Sequence, residues 1–315
     1  MKRRDFIKKS FSAAVAAGTV FSLAPWKNMM GNNPSSEITD YDLVAVMDTS
    51  GEKNEEIPVE MYKQGINAMG GMQKFVKSGW KVVVKPNIGW DVRPELAANS
   101  NPHLVKKIVA DCFDAGASQV VIFDNTCDEW TNCYNNSKIR PLAEEAGALV
   151  VPGNKENDYQ EVDIPQGKKL KKAKVHKQIL ECDAFINVPI LKSHGSARLT
   201  IAMKNLMGIV WDRRYWHMNN LHQCIADFAT YSKKPVLNIV DAYRVMKQNG
   251  PRGTSEDDVI YQNTQLLSTD MVAVDAAAAK YFGYEPDEVN YIAIAHEMGV
   301  GNMNLEELSI KRIKI

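Results

Sequence analysis

The chain has 315 residues, and 38 Lys and Arg balance 38 Asp and Glu, so its formal net charge is zero. A neutral chain lacks the basic surface of a nucleic-acid-binding protein, and we expect no nucleic-acid partner. Hydrophobic residues make up 45% and charged residues 24% of the chain, a balance that favours a packed core over extended disorder.

The N-terminal segment has the pattern of a targeting sequence. Arg3 and Arg4 form a twin-arginine pair, and an Ala-rich apolar stretch follows from Ser10 to Ala24. That stretch is shorter than the roughly 20 residues of a membrane-spanning helix, so we expect no transmembrane span in the mature chain. We interpret residues 1–36 as a twin-arginine export signal with a polar linker. This predicts an exported, periplasmic bacterial protein whose partner is the twin-arginine translocation machinery.

Residues 37–315 alternate predicted strands and helices. Short apolar or β-branched runs predict strands, and apolar residues at helical spacing predict helices. In chain order the predicted elements are a strand at Leu43–Met47, a helix from Pro58 to Phe75, a strand at Trp80–Val84, a helix from Asn101 to Gly116, a strand at Gln119–Phe123, a helix at Ile139–Ala146, strands at Ala148–Val151 and Ala184–Val188, helices at Leu199–Met207 and Leu221–Tyr231, a strand at Val236–Val240, and helices at Met271–Phe282 and Pro286–Met298.

This alternation predicts an α/β fold with a mainly parallel sheet flanked by helices. A Lys-rich hairpin from Lys168 to Lys177 interrupts the pattern. Residues 37–315 therefore form one large domain, or two lobes that divide near residues 165–180.

Polar or ionisable residues follow four of the predicted strands. The carboxyl ends of parallel strands meet at one edge of a sheet, where α/β proteins bind their ligands. The alternative is that strand ends are polar only because they are exposed. The residues concerned are Lys85 with Asn87, Asp124, Lys192 with His194, and Asp241.

Three lysines in these segments are predicted to bind an anion. Desolvated ammonium groups bind carboxylates and phosphates, so Lys85, Lys192 and Lys204 are candidate anchors for a small anionic molecule. Asn87 and Asn205 offer amide donors to the same ligand. The sequence thus predicts a cleft for a small anionic molecule.

His194, Asp241 and Lys192 are the predicted catalytic residues. His194 is expected to titrate near neutrality and to exchange protons with the ligand. Asp241 or Asp124 is expected to orient the imidazole or to accept a proton. The reaction class predicted from these residues is acid–base chemistry.

A metal site is an alternative. His194, His217, His222, Asp124 and Asp241 supply nitrogen and oxygen ligands. His217 and His222 are five positions apart, however, and do not share a helix face as an i, i+4 pair would. The sequence names neither a metal nor a cofactor.

The five cysteines do not form a redox or metal motif. Cys127 and Cys133 can close a small disulfide after export, while the other three lie in apolar patterns typical of a core. The chain has no Cys-x-x-Cys, which argues against a local iron–sulfur or thioredoxin-type site.

Six segments along the chain form a combined pattern. They are Lys85–Asn87, Asn187–His194, Leu199–Gly208, Ile239–Asp241, Gly250–Pro251 and Asp270–Asp275. Together they resemble the domain-of-unknown-function family 362, prokaryotic proteins often associated with iron–sulfur clusters. The resemblance spans roughly Val82 to Gly301 and implies an α/β fold, but no cysteine follows Cys224, so the iron–sulfur clusters of relatives are not carried over. A more distant similarity is to the nickel-pincer lactate racemase family, another α/β fold with Lys and His in a cleft.

Three hypotheses for function remain open from the sequence. The first is an exported protein with a Lys/His/Asp cleft for a small anion, acting as an enzyme by acid–base chemistry. The second is a non-catalytic protein that binds a ligand, cofactor or redox partner. The third is a metal-dependent redox protein.

Overall fold

Strands and helices alternate along the protein as predicted, and the α/β fold class is confirmed. The computed structural model describes residues 40–315, so the predicted export signal and linker lie outside the described residues. Within that range the strands are β1 Leu43–Met47, β2 Lys81–Pro86, β3 Gln119–Ile122, β4 Leu149–Val150, β5 Tyr159–Asp163, β6 Lys172–His176, β7 Ala184–Val188, β8 Ile190–His194, β9 Arg198–Thr200, β10 Leu237–Met246, β11 Val259–Ser268 and β12 Ile310–Lys314. The helices are α1 Glu56–Ala68, α2 Pro102–Asp114, α3 Trp130–Asn136, α4 Ile139–Glu145, α5 Lys177–Glu181, α6 Ala202–Asn205, α7 Arg213–Met218, α8 Leu221–Ala229, α9 Met271–Phe282 and α10 Asn290–Glu297.

A mixed, mainly parallel sheet forms the centre of the unit. Its strand order is β12-β1-β11-β10-β7-β2-β3-β4, and β8 pairs with β10 and β9. The segment β7-β2-β3-β4 is parallel throughout. The carboxyl ends of β7, β2 and β3 therefore lie at one edge of the sheet, as the sequence analysis expected.

Both faces of the central parallel strands β2, β3 and β7 are buried, which explains their uninterrupted apolar runs in the sequence. Side chains alternate between the faces along each strand. Val83 and Phe185 pack into the core on one face, and Val82, Val84 and Ile122 pack into the core on the other. Neither face of these central strands is left to solvent, so their polar residues concentrate at the strand ends.

Antiparallel pairs are the feature that the sequence analysis missed. β11 lies between β1 and β10 and runs antiparallel to both. β8 and β9 form a second antiparallel pair, in which Lys192 faces Thr200 and His194 faces Arg198. The predicted helix from Leu199 to Met207 is wrong at its start, because Leu199 belongs to β9 and α6 begins at Ala202.

The Lys-rich segment is the second strand of a hairpin formed by β5 and β6. It lies inside residues 40–315, which cluster as a single unit. None of the helices in that range is long and apolar enough to cross a lipid bilayer.

Candidate functional site

Six of the predicted site residues meet beyond the carboxyl ends of the parallel strands. Hydrogen bonds or an ion pair join five of them, and the sixth, the Lys204 ammonium, lies within electrostatic range of Lys85, Lys192 and Asp124. We call Lys85, Lys192 and Lys204 the lysine cluster. The six residues are Lys85, Asn87, Asp124, Lys192, Lys204 and Asn205.

A buried ion pair between Lys85 and Asp124 forms the floor of the site. Lys85 Nζ lies 3.0 Å from Asp124 Oδ1, and both side chains are almost completely buried. Burial lowers the pKa of Lys85, and the Asp124 carboxylate opposes that shift. Asp124 Oδ2 also accepts a hydrogen bond from the Ile88 amide at 2.6 Å. The carboxylate is thus fully engaged by the protein itself.

Gly208 packs directly on this ion pair. A Cβ at position 208 would lie 1.8 Å from Asp124 Oδ1 and 2.6 Å from Lys85 Nζ. The Gly208 carbonyl meanwhile accepts a hydrogen bond from the Asn125 amide at 2.9 Å. Only glycine lets the backbone approach the ion pair so closely, which gives a physical reason for a glycine at position 208, shortly after Lys204 and Asn205.

Side-chain amides connect the floor to the lysines. Asn87 Nδ2 donates to Asn205 Oδ1 at 2.9 Å, and Asn205 Nδ2 donates to Asn187 Oδ1 at 2.8 Å. Lys85 Nζ also donates to Asn205 Oδ1 at 3.3 Å. These amides are bound to one another and to the lysines, so they fix the geometry of the cluster rather than face a ligand as free donors.

Lys192 is the most strongly buried cation without a carboxylate partner in the site. Its Nζ donates to Asn87 Oδ1 at 3.2 Å and to the Ala98 carbonyl. Burial lowers its pKa to about 7. The ammonium therefore gains and loses its proton near neutral pH, which the sequence analysis expected of His194 instead.

Lys204 projects from α6 and is half-buried. Its ammonium has no hydrogen-bond or ion-pair partner within the part of the chain that the structure describes. Burial lowers its pKa to about 8. An unpartnered, partly desolvated ammonium beside Lys192 leaves this part of the site with an excess of positive charge.

The Asp275 carboxyl group holds α6 in place, and burial raises its pKa to about 8. Asp275 is completely buried, and its two oxygens accept hydrogen bonds from the Ala202 and Met203 amides at 2.7 and 3.0 Å. These are the first amides of the helix that carries Lys204 and Asn205. Asp275 lies in one of the family-like segments of the sequence, but no role was predicted for it from the sequence.

Arg213 also belongs to the site, although no role was predicted for it above. Its guanidinium donates to the Asn125 and Thr126 carbonyls, both at 2.7 Å. It acts electrostatically on Lys85 and Lys204 and adds a fourth cation to the site. Among the described residues that contact the lysine cluster, Asp124 is the only carboxylate that offsets the charges of the three lysines and Arg213.

His194 ends β8 two residues after Lys192, on the same face of the strand. Its Nδ1 accepts hydrogen bonds from the Ser196 and Ala197 amides at 3.3 and 3.1 Å. The neutral ring therefore carries its proton on Nε2. Burial and the charges of Lys204 and Lys192 lower its pKa to about 2. In contrast to the expectation, His194 stays neutral near pH 7, with Nε2–H as its only donor group.

Asp241 makes its contacts away from His194. It accepts hydrogen bonds from the Asn101 and Tyr243 amides at 2.8 and 3.2 Å, and burial raises its pKa to about 6. The Asn101 side chain in turn caps α2. Because Ala98 in the same loop accepts from Lys192, Asp241 positions the loop around Lys192 rather than orienting the imidazole.

An open cleft of about 660 Å³ borders the site at His194. Its lining includes Ser193, Arg198 and His222, and Gly250 forms part of the wall. A Cβ at Gly250 would lie 1.9 Å from the Ser193 carbonyl, so the loop at 250 packs tightly against β8. His194 lines this cleft, whereas Lys192, two residues earlier in β8, is buried and is not among its lining residues.

The predicted disulfide between Cys127 and Cys133 is wrong, because both cysteines are free. Cys133 is buried while Cys127 is exposed near the lysine cluster. Among residues 40–315, no three His, Cys, Asp or Glu side chains converge in a group that could hold a metal ion.

A family model described as "Domain of unknown function (DUF362)" matches residues 82–280, which is more than half of the chain. The match includes every residue of the lysine cluster and also Asp275. A curated relative, described as "Thylakoid-associated protein sll1697" from Synechocystis sp., is 24% identical over 243 residues. That alignment covers 75% of this chain and 73% of the relative.

Two solved structures are similar at low identity. The lactate racemase apoprotein from Thermoanaerobacterium thermosaccharolyticum is 13% identical with a TM-score of 0.49, covering 79% of this chain. A protein from Thermotoga maritima is 10% identical with a TM-score of 0.39, covering 78% of this chain. The chain spans 58% and 59% of their respective lengths.

Proposed function

The chain belongs to the DUF362 family, and from this premise we propose that it binds a small anion at the lysine cluster and exchanges a proton with it through Lys192. The observation that carries the proposal is the unmatched charge of Lys204. Its ammonium is half-buried and has no hydrogen-bond or ion-pair partner in residues 40–315. Burying an unpaired charge is unfavourable, so an anionic ligand that pairs with it gains binding energy.

The surrounding charges support an anion rather than a cation. Lys192 and Arg213 add positive charge beside Lys204, while Asp124 is already paired with Lys85. A carboxylate or phosphate oxygen placed at Lys204 would face positive charges and no free carboxylate in this cluster.

The proton-exchange role belongs to Lys192 because its pKa of about 7 lies near physiological pH. A proton-transfer group is most effective when its pKa lies near the working pH, and the Lys192 ammonium can donate its proton to a bound anion. His194 supports the ligand as a neutral donor through Nε2. If the protein only binds the anion, no catalytic turnover should depend on Lys192.

Isothermal titration calorimetry of the mature protein with sulfate, phosphate and oxalate tests the binding proposal. We expect at least one of these anions to bind with a Kd below about 1 mM, and Lys204→Met to weaken that binding at least about tenfold. Lys234→Met, which removes an exposed lysine, is the matched control and should leave Kd unchanged. Equal affinity of wild type and Lys204→Met for all three anions would overturn the proposal.

We also propose that the chain is exported by the twin-arginine route, on the support of the Arg3-Arg4 pair and the weakly apolar stretch after it. Fractionation of a bacterial host should recover wild type in the periplasm. The double variant Arg3→Lys with Arg4→Lys keeps the charge but removes the arginine pair, and it should accumulate in the cytoplasm. Periplasmic recovery equal to wild type would refute this route.

A further inference from the structure

Cys127 lies at the exposed margin of the lysine cluster. It follows β3, and its amide donates to the Gly89 carbonyl at 2.8 Å. Its sulfur lies 3.6 Å from Arg213 Nη1, which donates to it. Lys192 and Lys204 both interact electrostatically with this cysteine. The thiol thus borders the same positive charges that we assign to anion binding.

Two polar groups around Lys192 have no hydrogen-bond partner within the described range. One is the Lys204 ammonium. The other is the Thr200 hydroxyl, which is 3% exposed and makes no hydrogen bond within the described range. Thr200 is paired directly with Lys192 across the β8–β9 ladder, and directly paired residues lie on the same face.

The other four cysteines are buried, and all of them lie in the described part of the chain. Burial raises the pKa of the Cys133 thiol to about 12 and that of Cys224 to about 11, and it also raises the pKa of Cys112 and Cys182. Because the thiolate is the reactive form, these four thiols are poor nucleophiles near neutral pH. Cys127 alone combines exposure with a cationic surrounding.

We propose that Cys127 is a covalent modification site that selects electrophiles carrying a carboxylate or another anionic group. This inference rests on the proposed function, because the anionic group must bind at Lys204 to bring the electrophilic carbon to the sulfur. With an α-halo carboxylate, the thiolate forms a bond to the methylene carbon. The carbon–halogen bond breaks, halide leaves with the electron pair, and the thiol proton goes to solvent.

Alkylation with iodoacetate and iodoacetamide tests the site, because the two reagents share a leaving group and differ in charge. Rates at Cys127 are measured on the mature protein by peptide mass spectrometry, with glutathione as the free-thiol reference. We expect the iodoacetate-to-iodoacetamide rate ratio at Cys127 to exceed that of glutathione by about tenfold, which corresponds to about 1.4 kcal/mol of attraction. A ratio equal to that of glutathione would overturn the inference.

Two variants separate this inference from the proposed function. Lys204→Met should lower the iodoacetate rate about tenfold and leave the iodoacetamide rate within about threefold, provided that its melting temperature matches wild type. If that variant is unstable, molar salt should lower the ratio in wild type instead, since salt screens exposed charges. Cys127→Ser should lose the label but keep its calorimetric anion affinity. If wild type binds anions by calorimetry but shows no raised rate ratio at Cys127, only the cysteine inference is contradicted. If wild type shows neither anion binding nor a raised ratio, the proposed function is contradicted as well.

Discussion

Anion affinity should fall steeply as pH rises through the neutral range. Burial lowers the pKa of Lys192 to about 7 and that of Lys204 to about 8. Both ammonium groups are charged below these values and neutral above them. If the anion binds the doubly charged form, its apparent Kd equals the intrinsic Kd divided by the fraction of protein in that form.

The size of the effect follows from the two pKa values. At about pH 6 nearly all of the protein carries both charges, whereas at about pH 9 roughly one molecule in a thousand does. The apparent Kd should therefore rise about 1,000-fold between these limits, or about 4 kcal/mol. Removing Lys192 leaves only the pKa of about 8 and reduces the rise to about tenfold. Removing Lys204 leaves the pKa of about 7 and a rise of about 100-fold.

Calorimetry with sulfate or oxalate measures this dependence, because neither anion titrates in the range. Wild type, Lys192→Met, Lys204→Met and the exposed-lysine control Lys234→Met are compared at the same ionic strength. Near pH 7.5, titrations in buffers of different ionisation enthalpy should reveal uptake of about one proton per bound anion. A wild-type Kd that stays constant within about threefold from about pH 6 to 9 would refute the reasoning.

Three further outcomes are expected. Gly208→Ala should destabilise the protein by more than about 2 kcal/mol in urea unfolding and abolish anion binding, because the added Cβ collides with Asp124. In the control Gly195→Ala the added Cβ meets nothing within 4 Å, so stability and anion binding should both stay unchanged. Asp275→Ala should cost about 3 kcal/mol in the same assay, because the Ala202 and Met203 amides lose their buried hydrogen-bond acceptor, and a loss below about 1 kcal/mol would contradict its role at α6. His194→Gln should preserve the pH dependence of anion binding by calorimetry, because the imidazole stays neutral throughout; a changed profile would contradict that assignment.

The parallel half of the sheet was predictable because its strands are buried on both faces. Val82–Val84 and Val120–Ile122 form uninterrupted apolar runs, which is the pattern of parallel strands under helices. β8 and β11 were missed for the opposite reason. β8 mixes Lys192 and His194 with apolar residues, and the outer half of β11 is exposed, so neither shows a simple period.

The site was predictable where topology alone decides position. Lys85, Asp124 and Lys192 follow or end strands that share an edge, and they meet there. The electrostatics were not predictable, because the pKa of Lys192 and that of His194 depend on burial and on neighbouring charges. The contact between Asp275 and α6 joins positions 73 residues apart, and no local pattern announces such a contact.

That long-range contact has a consequence for how the protein is made. The amides of α6 obtain their carboxylate acceptor only after residue 275 has left the ribosome, so a nascent chain cannot present Lys204 in its final position. The site is completed late in synthesis and requires the folded unit of residues 40–315. Its occupant should consequently protect the entire unit against proteolysis and heat, by an amount that grows with the logarithm of ligand concentration.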